Sequence, residues 1–239
     1  MLPRAILCDF DGTMVDEDVS EQLLATHGAP EWEEIDREFM RGDIGSRECA
    51  QRQIALLGGS RAELIDDALA RFHVDETFAP FVSWCRGREI EVSVVSDGFG
   101  FYIVRMLGAA GVEGVPVLTN RTVFGGVHPR LEFPFAHGEC IGCGTCKMRA
   151  VLEARERTGG PVAFVGEGHT DRYGALYADL VFAKKHLPAL CDDMGVPYVA
   201  WETFADIRDA LNAGVRITDR PAPQRCPGWT PPIEPKRVP

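Results

Sequence analysis

Arg4-Ala-Ile-Leu-Cys-Asp9-Phe-Asp11-Gly-Thr13 is a short apolar run that stops abruptly in two carboxylates, a glycine and a hydroxyl. Such a run reads as a buried strand that delivers acidic groups at its C-terminal end. Immediately downstream the pattern changes. Val19–Leu24, Glu31–Met40, Ser46–Leu57 and Arg61–Phe72 each place apolar residues at three- and four-residue intervals, which predicts amphipathic helices with no strand among them. From Phe78 onward, helix and strand alternate. The expected strands are Glu91–Ser96, Val115–Thr119, Pro161–Gly166, Leu180–Ala183 and Pro197–Ala200, separated by helices Phe78–Arg86, Phe99–Ala110 and Lys147–Arg157 and closed by Thr203–Ala213. Strands spaced by helices imply parallel crossovers, so the expected fold is α/β, a doubly wound parallel sheet with a small helical unit inserted after the first strand. The α/β core should comprise residues 1–15 and 77–213, the helical insert 16–76 and a Pro-rich tail 214–239. Residues 121–134, centred on Gly125-Gly126, read as a small hairpin.

Composition narrows the function. The chain has 239 residues, 25 Lys+Arg against 36 Asp+Glu and a formal net charge of −11. That leaves no basic surplus for a phosphate backbone, so a nucleic-acid partner is not expected and a small substrate is. No long uninterrupted apolar stretch and no leader pattern is present, so no membrane association and a cytoplasmic location are expected. The oligomeric state is not legible. Eight cysteines are too few for a disulfide scaffold in a chain of this length.

In a parallel sheet, ligands bind beyond the carboxyl ends of the strands. The residues placed there are Asp9, Asp11 and Thr13, then Ser96-Asp97-Gly98, then Gly166-Glu167-Gly168-His169-Thr170-Asp171. Clustered carboxylates suit a hard cation such as Mg²⁺, and a hydroxyl beside glycine amides suits a phosphate. Together they describe a phosphoryl site.

These segments, with Lys147 opening a later helix, resemble the four motifs of the haloacid-dehalogenase-like phosphatases, in order and across residues 4–213. The helical insert resembles that superfamily's cap of the phosphoserine-phosphatase type. A closer likeness is to the 2-hydroxy-3-keto-5-methylthiopentenyl-1-phosphate phosphatases. It rests on Ala29-Pro-Glu-Trp32, the Ser96-Asp-Gly-Phe99 turn followed by Tyr102, Cys143-Gly-Thr-Cys146-Lys147 and Asp179–Lys184. The chain departs from that pattern at Glu167, where Asp is usual, and in a shortened Cys-containing loop. The resemblance implies a Mg²⁺-dependent phosphomonoester hydrolase acting on a small phosphorylated metabolite. It makes Asp9 the nucleophile that forms an aspartyl-phosphate and Asp11 the general acid and then base. Thr13, Ser96, Asp97, Gly98 and Lys147 would bind substrate or phosphate; Asp9, the Asp11 carbonyl and Glu167 would hold Mg²⁺, with Asp171 in support.

Other residues leave alternatives open. His137, Cys140, Cys143 and Cys146 offer four soft donors within ten positions. They are a candidate structural Zn²⁺ site pinning the loop before Lys147, or a set of reduced thiols. Arg41 and Arg47 are candidates to meet an anionic substrate group, or ordinary surface residues. His169 is a substrate contact or a loop histidine. Among functions, phosphoserine phosphatase is the nearest rival, followed by a phosphotransferase or mutase sharing the aspartyl-phosphate step. Least expected is a non-enzymatic phospho-accepting module.

Overall fold

In the computed structural model, which describes residues 2–215 and residue 226, the opening apolar run forms β1 (Ala5–Cys8). The remaining strands are β2 (Glu91–Ser96), β3 (Val117–Thr119), β4 (Arg121–Val123), β5 (Arg130–Glu132), β6 (Val162–Gly166), β7 (Leu180–Ala183) and β8 (Val199–Ala200). Six of them build one sheet in the order β3-β2-β1-β6-β7-β8, every neighbouring pair parallel. β4 and β5 form the separate antiparallel hairpin expected around Gly125-Gly126. Successive residues of β1 feed opposite clusters: Ile6 and Cys8 pack with Phe78, Phe81 and Phe204, while Ala5 and Leu7 pack with Val151, Phe164 and Leu187. A strand covered on both faces reads as an unbroken apolar run, which is why it shows no alternation in sequence.

Helices α1 (Val19–His27), α2 (Trp32–Met40), α3 (Ser46–Ile54) and α4 (Arg61–Arg71) occupy the segment between β1 and α5 (Phe78–Arg86). Local signals start them. Asp18 accepts the Glu21 amide at the head of α1, and Ser60 and Glu63 exchange reciprocal hydrogen bonds at the head of α4. Val19, Leu23 and Leu24 of α1 and Leu64, Ile65 and Ala68 of α4 belong to the same apolar cluster as β1 and β2. Only the α2–α3 end carries a cluster of its own, from Ile35, Ile44 and Cys49 with Phe39 and Leu56 against them.

The later helices are α6 (Ile103–Ala109), α7 (Lys147–Thr158), α8 (Arg172–Tyr177), α9 (Leu187–Met194) and α10 (Phe204–Ala213). α6 starts four residues later than its periodicity predicts. Gly100 adopts φ 78°, and a Cβ there would lie 2.2 Å from the Asn120 carbonyl oxygen. The chain therefore turns tightly through 99–102 before the helix begins. β3 and β8 are also shorter than their apolar runs. The expectation of an extended tail over 214–239 falls outside the described residues, except at Gly214, Val215 and Cys226.

Candidate active site

β1 lies between β2 and β6, where the strand order reverses, and its register brings Cys8 level with Val94 and Val165. The residues leaving these three strands, Asp9, Ser96 and Glu167, therefore meet at one edge. This is the topological switch point at which a doubly wound sheet binds its ligands.

Lys147 organises the floor of the site. As the first residue of α7 it is 3 % exposed, and its Nζ lies 2.7 Å from Asp9 Oδ1, 2.6 Å from Asp171 Oδ1 and 3.1 Å from Thr170 Oγ1. A buried lysine ordinarily loses its proton, but the two carboxylates hold this one charged, its pKa raised. Asp171 is fully buried and uses its other oxygen to accept the Glu167 and Gly168 amides at 2.8 and 3.0 Å. It shapes the turn that presents Glu167. Asp9 also accepts the Thr13 hydroxyl at 3.2 Å. Burial, with Asp171 beside it, pushes the Asp9 carboxyl up to about 7 against the opposing pull of Lys147.

Asp11 sits in different company. Tyr102 donates its hydroxyl to both Asp11 oxygens at 2.8 and 2.9 Å, the Val19 amide donates at 3.1 Å and Ser96 Oγ lies 3.4 Å away. Burial, then the charges of Asp18 and Asp9, hold Asp11 well above the usual carboxylate range, which favours its protonated form. The Tyr102 oxygen is itself 2.7 Å from Ser20 Oγ. The site needs glycine at 98, because a Cβ there would lie 2.4 Å from Asp11 Oδ2. Ser96 Oγ accepts the Gly98 amide at 3.1 Å.

Asp97 lines the same cavity, with its carboxylate engaged by groups of the protein itself. Its carboxylate accepts Ser46 Oγ at 2.6 Å, the Thr145 amide at 2.7 Å and Asn120 Nδ2 at 3.3 Å. It ties the head of α3 to the loop before α7. Arg47, the next residue on α3, donates to the Cys143 and Cys140 carbonyls at 3.0 and 2.8 Å and lies over Phe133, 5.4 Å from the ring centroid. Of the two readings left open for Arg47, an anion contact or a surface residue, neither describes these bonds, which latch α3 to the cysteine loop. Arg41 is spent on Asp43 and Glu34 at the exposed end of α2, and His169 is exposed.

Glu167, half-buried, lines a cavity of about 130 Å³ with Asp9, Asp11, Ser96 and Gly98. No described residue hydrogen-bonds its carboxylate. Two carboxylates, Asp9 and Glu167, together with the Asp11 carbonyl, fit Mg²⁺, which takes few protein donors and keeps several waters. Among the described residues no group of three or more His, Cys, Asp or Glu could by itself hold a metal ion.

The same finding removes support for zinc at His137, Cys140, Cys143 and Cys146. These four line a second cavity of about 630 Å³, in which burial pushes the Cys143 thiol up to about 12 and raises Cys146. Cys226 lines that same cavity and donates its amide to the Tyr177 hydroxyl at 2.9 Å.

Sequence reasoning assigned no role to Ser20, Ser46, Tyr102, Asn120, Thr145 or Lys185. Lys185, at φ 52°, donates to the Gly12 carbonyl at 2.8 Å and so pins the turn after Asp11. A polar side chain inside an otherwise apolar stretch, as at Tyr102 within Phe101–Val104, is the signal available for such residues.

The family model for haloacid dehalogenase-like hydrolases matches residues 6–175, from β1 to α8. The chain belongs to this family. Among curated members it resembles the 2-hydroxy-3-keto-5-methylthiopentenyl-1-phosphate phosphatases of Geobacillus kaustophilus and Brevibacillus brevis. The first is 31 % identical over 86 % of this chain and 94 % of the relative; the second is 30 % identical over 84 % and 92 %. Both bear out the closer likeness expected from the motifs. A phosphoserine phosphatase structure with a phospho-aspartyl intermediate analogue superposes with a TM-score of 0.66, covering 89 % of this chain and 99 % of that one at 20 % identity. At that identity the likeness shows the fold alone. No helix among the described residues is long and apolar enough to cross a membrane.

Proposed function

We propose that this hydrolase-family chain is a Mg²⁺-dependent phosphatase that cleaves a small phosphorylated metabolite through an aspartyl-phosphate on Asp9. The reading draws its substrate class from the named relatives and its roles from the site. The observation that carries it is the contrast between two carboxylates on one strand end: Asp9 ion-paired to Lys147 at 2.7 Å, Asp11 held by Tyr102 at 2.8 Å in surroundings that keep its proton.

In the first step an Asp9 oxygen attacks phosphorus and the bond to the leaving oxygen breaks, while Asp11 gives that oxygen its proton. In the second, Asp11, now a carboxylate, takes a proton from water as the water attacks phosphorus, and the bond to Asp9 breaks. Lys147 remains charged throughout and offsets negative charge gathering on the phosphoryl oxygens. Thr13 and Thr170 hold Asp9 and Lys147 in register. Bound by Asp9, Glu167 and the Asp11 carbonyl, Mg²⁺ would supply further charge neutralisation. Asp97 serves as the anchor of α3 in this scheme, not as a phosphate ligand.

Phosphate release from 2-hydroxy-3-keto-5-methylthiopentenyl-1-phosphate and from para-nitrophenyl phosphate tests the reading. With Mg²⁺ and no acceptor alcohol, wild-type protein should release inorganic phosphate from both, which separates hydrolysis from transfer to a sugar hydroxyl. Asp9→Asn, nearly isosteric, should remain folded and lose turnover by at least about a thousandfold, along with covalent labelling by phosphate. Hydrolysis at wild-type rates by that variant contradicts the mechanism.

A further inference from the structure

The half of the catalytic cavity that faces α2 and α3 is built differently from the half that faces phosphorus. α2 contributes Asp36 and Phe39, and α3 contributes Ser46, Cys49, Ala50 and Gln53. Among the described residues lining the cavity there is no lysine or arginine. The basic residues of α2, α3 and the turn between them are committed elsewhere. Arg37 pairs with Glu33 and Glu34, Arg41 with Asp43, Arg52 with Glu38, and Arg47 is latched onto the cysteine loop. Lys147 is already paired with Asp9 and Asp171. No described residue hydrogen-bonds the side chain of Asp36 or of Gln53, so an acceptor carboxylate and an amide face the cavity with capacity to spare. Phe39, Cys49, Ala50 and Phe99 give the same chamber an apolar wall.

From this chamber we propose a selection rule, which rests on the phosphatase reading: the pocket takes phosphomonoesters whose leaving group has no carboxylate and presents a hydroxyl or ammonium donor, and Asp36 and Gln53 are the residues that read it. A leaving group bearing a carboxylate would bring an anion beside Asp36, Asp18 and Asp97 with no lysine or arginine in the lining to meet it. Juxtaposed like charges in a partly desolvated site weaken binding. A hydroxyl or ammonium at the same place gains the Asp36 carboxylate as an acceptor, a charge-assisted bond stronger than a neutral one. Phosphoserine, the substrate of the enzymes whose fold this chain shares, is disfavoured by this chamber.

Two substrate pairs test the carboxylate, the first by deleting it and the second by exchanging it for a donor. O-phosphoethanolamine differs from O-phosphoserine by that group alone, and glycerol 3-phosphate differs from 3-phosphoglycerate by a hydroxymethyl in its place. With the full chain and Mg²⁺, kcat/KM should favour the member lacking the carboxylate by at least about tenfold in each pair. Propyl phosphate, which offers no donor, should fall below glycerol 3-phosphate. The faster of phosphoethanolamine and glycerol 3-phosphate tells whether the donor is ammonium or hydroxyl. Asp36→Asn removes the charge but keeps the shape, and should shrink the phosphoethanolamine-to-phosphoserine ratio by about tenfold; Arg41→Ala, remote from the chamber, should leave the ratio at its wild-type value. Gln53→Leu should lower the glycerol 3-phosphate to propyl phosphate ratio. Ratios near one in the wild type, with para-nitrophenyl phosphate still hydrolysed, overturn the rule. A high ratio that survives Asp36→Asn removes Asp36 from it. Loss of para-nitrophenyl phosphate hydrolysis in the wild type strikes at the phosphatase reading instead.

Discussion

Asp9 and Asp11 are two residues apart, yet their neighbours divide the chemistry between them. Asp9 faces a buried ammonium and accepts a threonine hydroxyl; Asp11 faces a phenol, an amide and other carboxylates. Asp11→Asn should therefore slow alkyl phosphates in the first half-reaction far more than aryl phosphates, whose leaving groups need little protonation. Single-turnover rates measure this, and equal losses on both esters assign Asp11 another part. Lys147 makes a second residue-scale test, because its removal leaves Asp9 and Asp171 buried without a counter-charge. Lys147→Met should cost about 3–5 kcal/mol of stability in urea titrations at neutral pH as well as activity. A stability loss below about 1 kcal/mol would mean that the two carboxylates simply take up protons.

At the scale of elements, the junction between α3 and the loop leading into α7 decides how the pocket closes. Ser46 bonds Asp97, the Arg47 amide donates to the Gly142 carbonyl at 3.1 Å, and the Arg47 guanidinium spans two further carbonyls of the cysteine loop. There is no room for a side chain at this contact, since a Cβ on Gly45 would lie 2.5 Å from the Gly142 oxygen. Arg47→Ala should therefore raise KM by a similar factor, about three- to tenfold, for every ester, and speed proteolysis of residues 134–146. A change in preference between esters, with the loop as protected as before, would give Arg47 a direct contact with substrate. The amphipathic periods of α1–α4 are legible in sequence, whereas this latch is not. It joins residues about ninety positions apart through backbone carbonyls, and a carbonyl leaves no trace in residue identity.

For the whole molecule, the carboxylates gathered at one sheet edge link stability to pH and to Mg²⁺. Asp9 titrates near 7 in the folded protein against an ordinary value of 3.8, so between those values the native state binds more protons than the unfolded one. The sign follows: without metal, this group's contribution to stability is fullest below about 4 and is lost as pH rises toward 7. Mg²⁺ competes with that proton. The rise in melting temperature on adding Mg²⁺ should accordingly be larger at pH 8 than at pH 5, and EDTA should abolish turnover at either pH. Equal shifts at the two pH values would show that Asp9 is not among the donors. At this scale the fold itself was well marked in the sequence. The strands of the parallel sheet are apolar or mostly apolar runs, and the helices between them leave only parallel crossovers open.

What the sequence determined by itself is what depends on neighbours along the chain: the strand that ends in Asp9 and Asp11, the helical periods of the insert, and the motif order that marks the family. Even Lys147 was legible, since a cation at a helix N-terminus opposes the helix dipole unless something holds it there. Tertiary structure alone decided what depends on groups distant in sequence. Tyr102 and Ser20 became the support of Asp11, Asp97 became an anchor for Ser46, Arg47 became a latch, and Cys226 joined the cysteine cavity. The four-donor spacing of His137 to Cys146 looked sufficient for zinc, but spacing fixes only how far apart donors lie along the chain. Whether their side chains converge on one point is settled by the surfaces that pack around them.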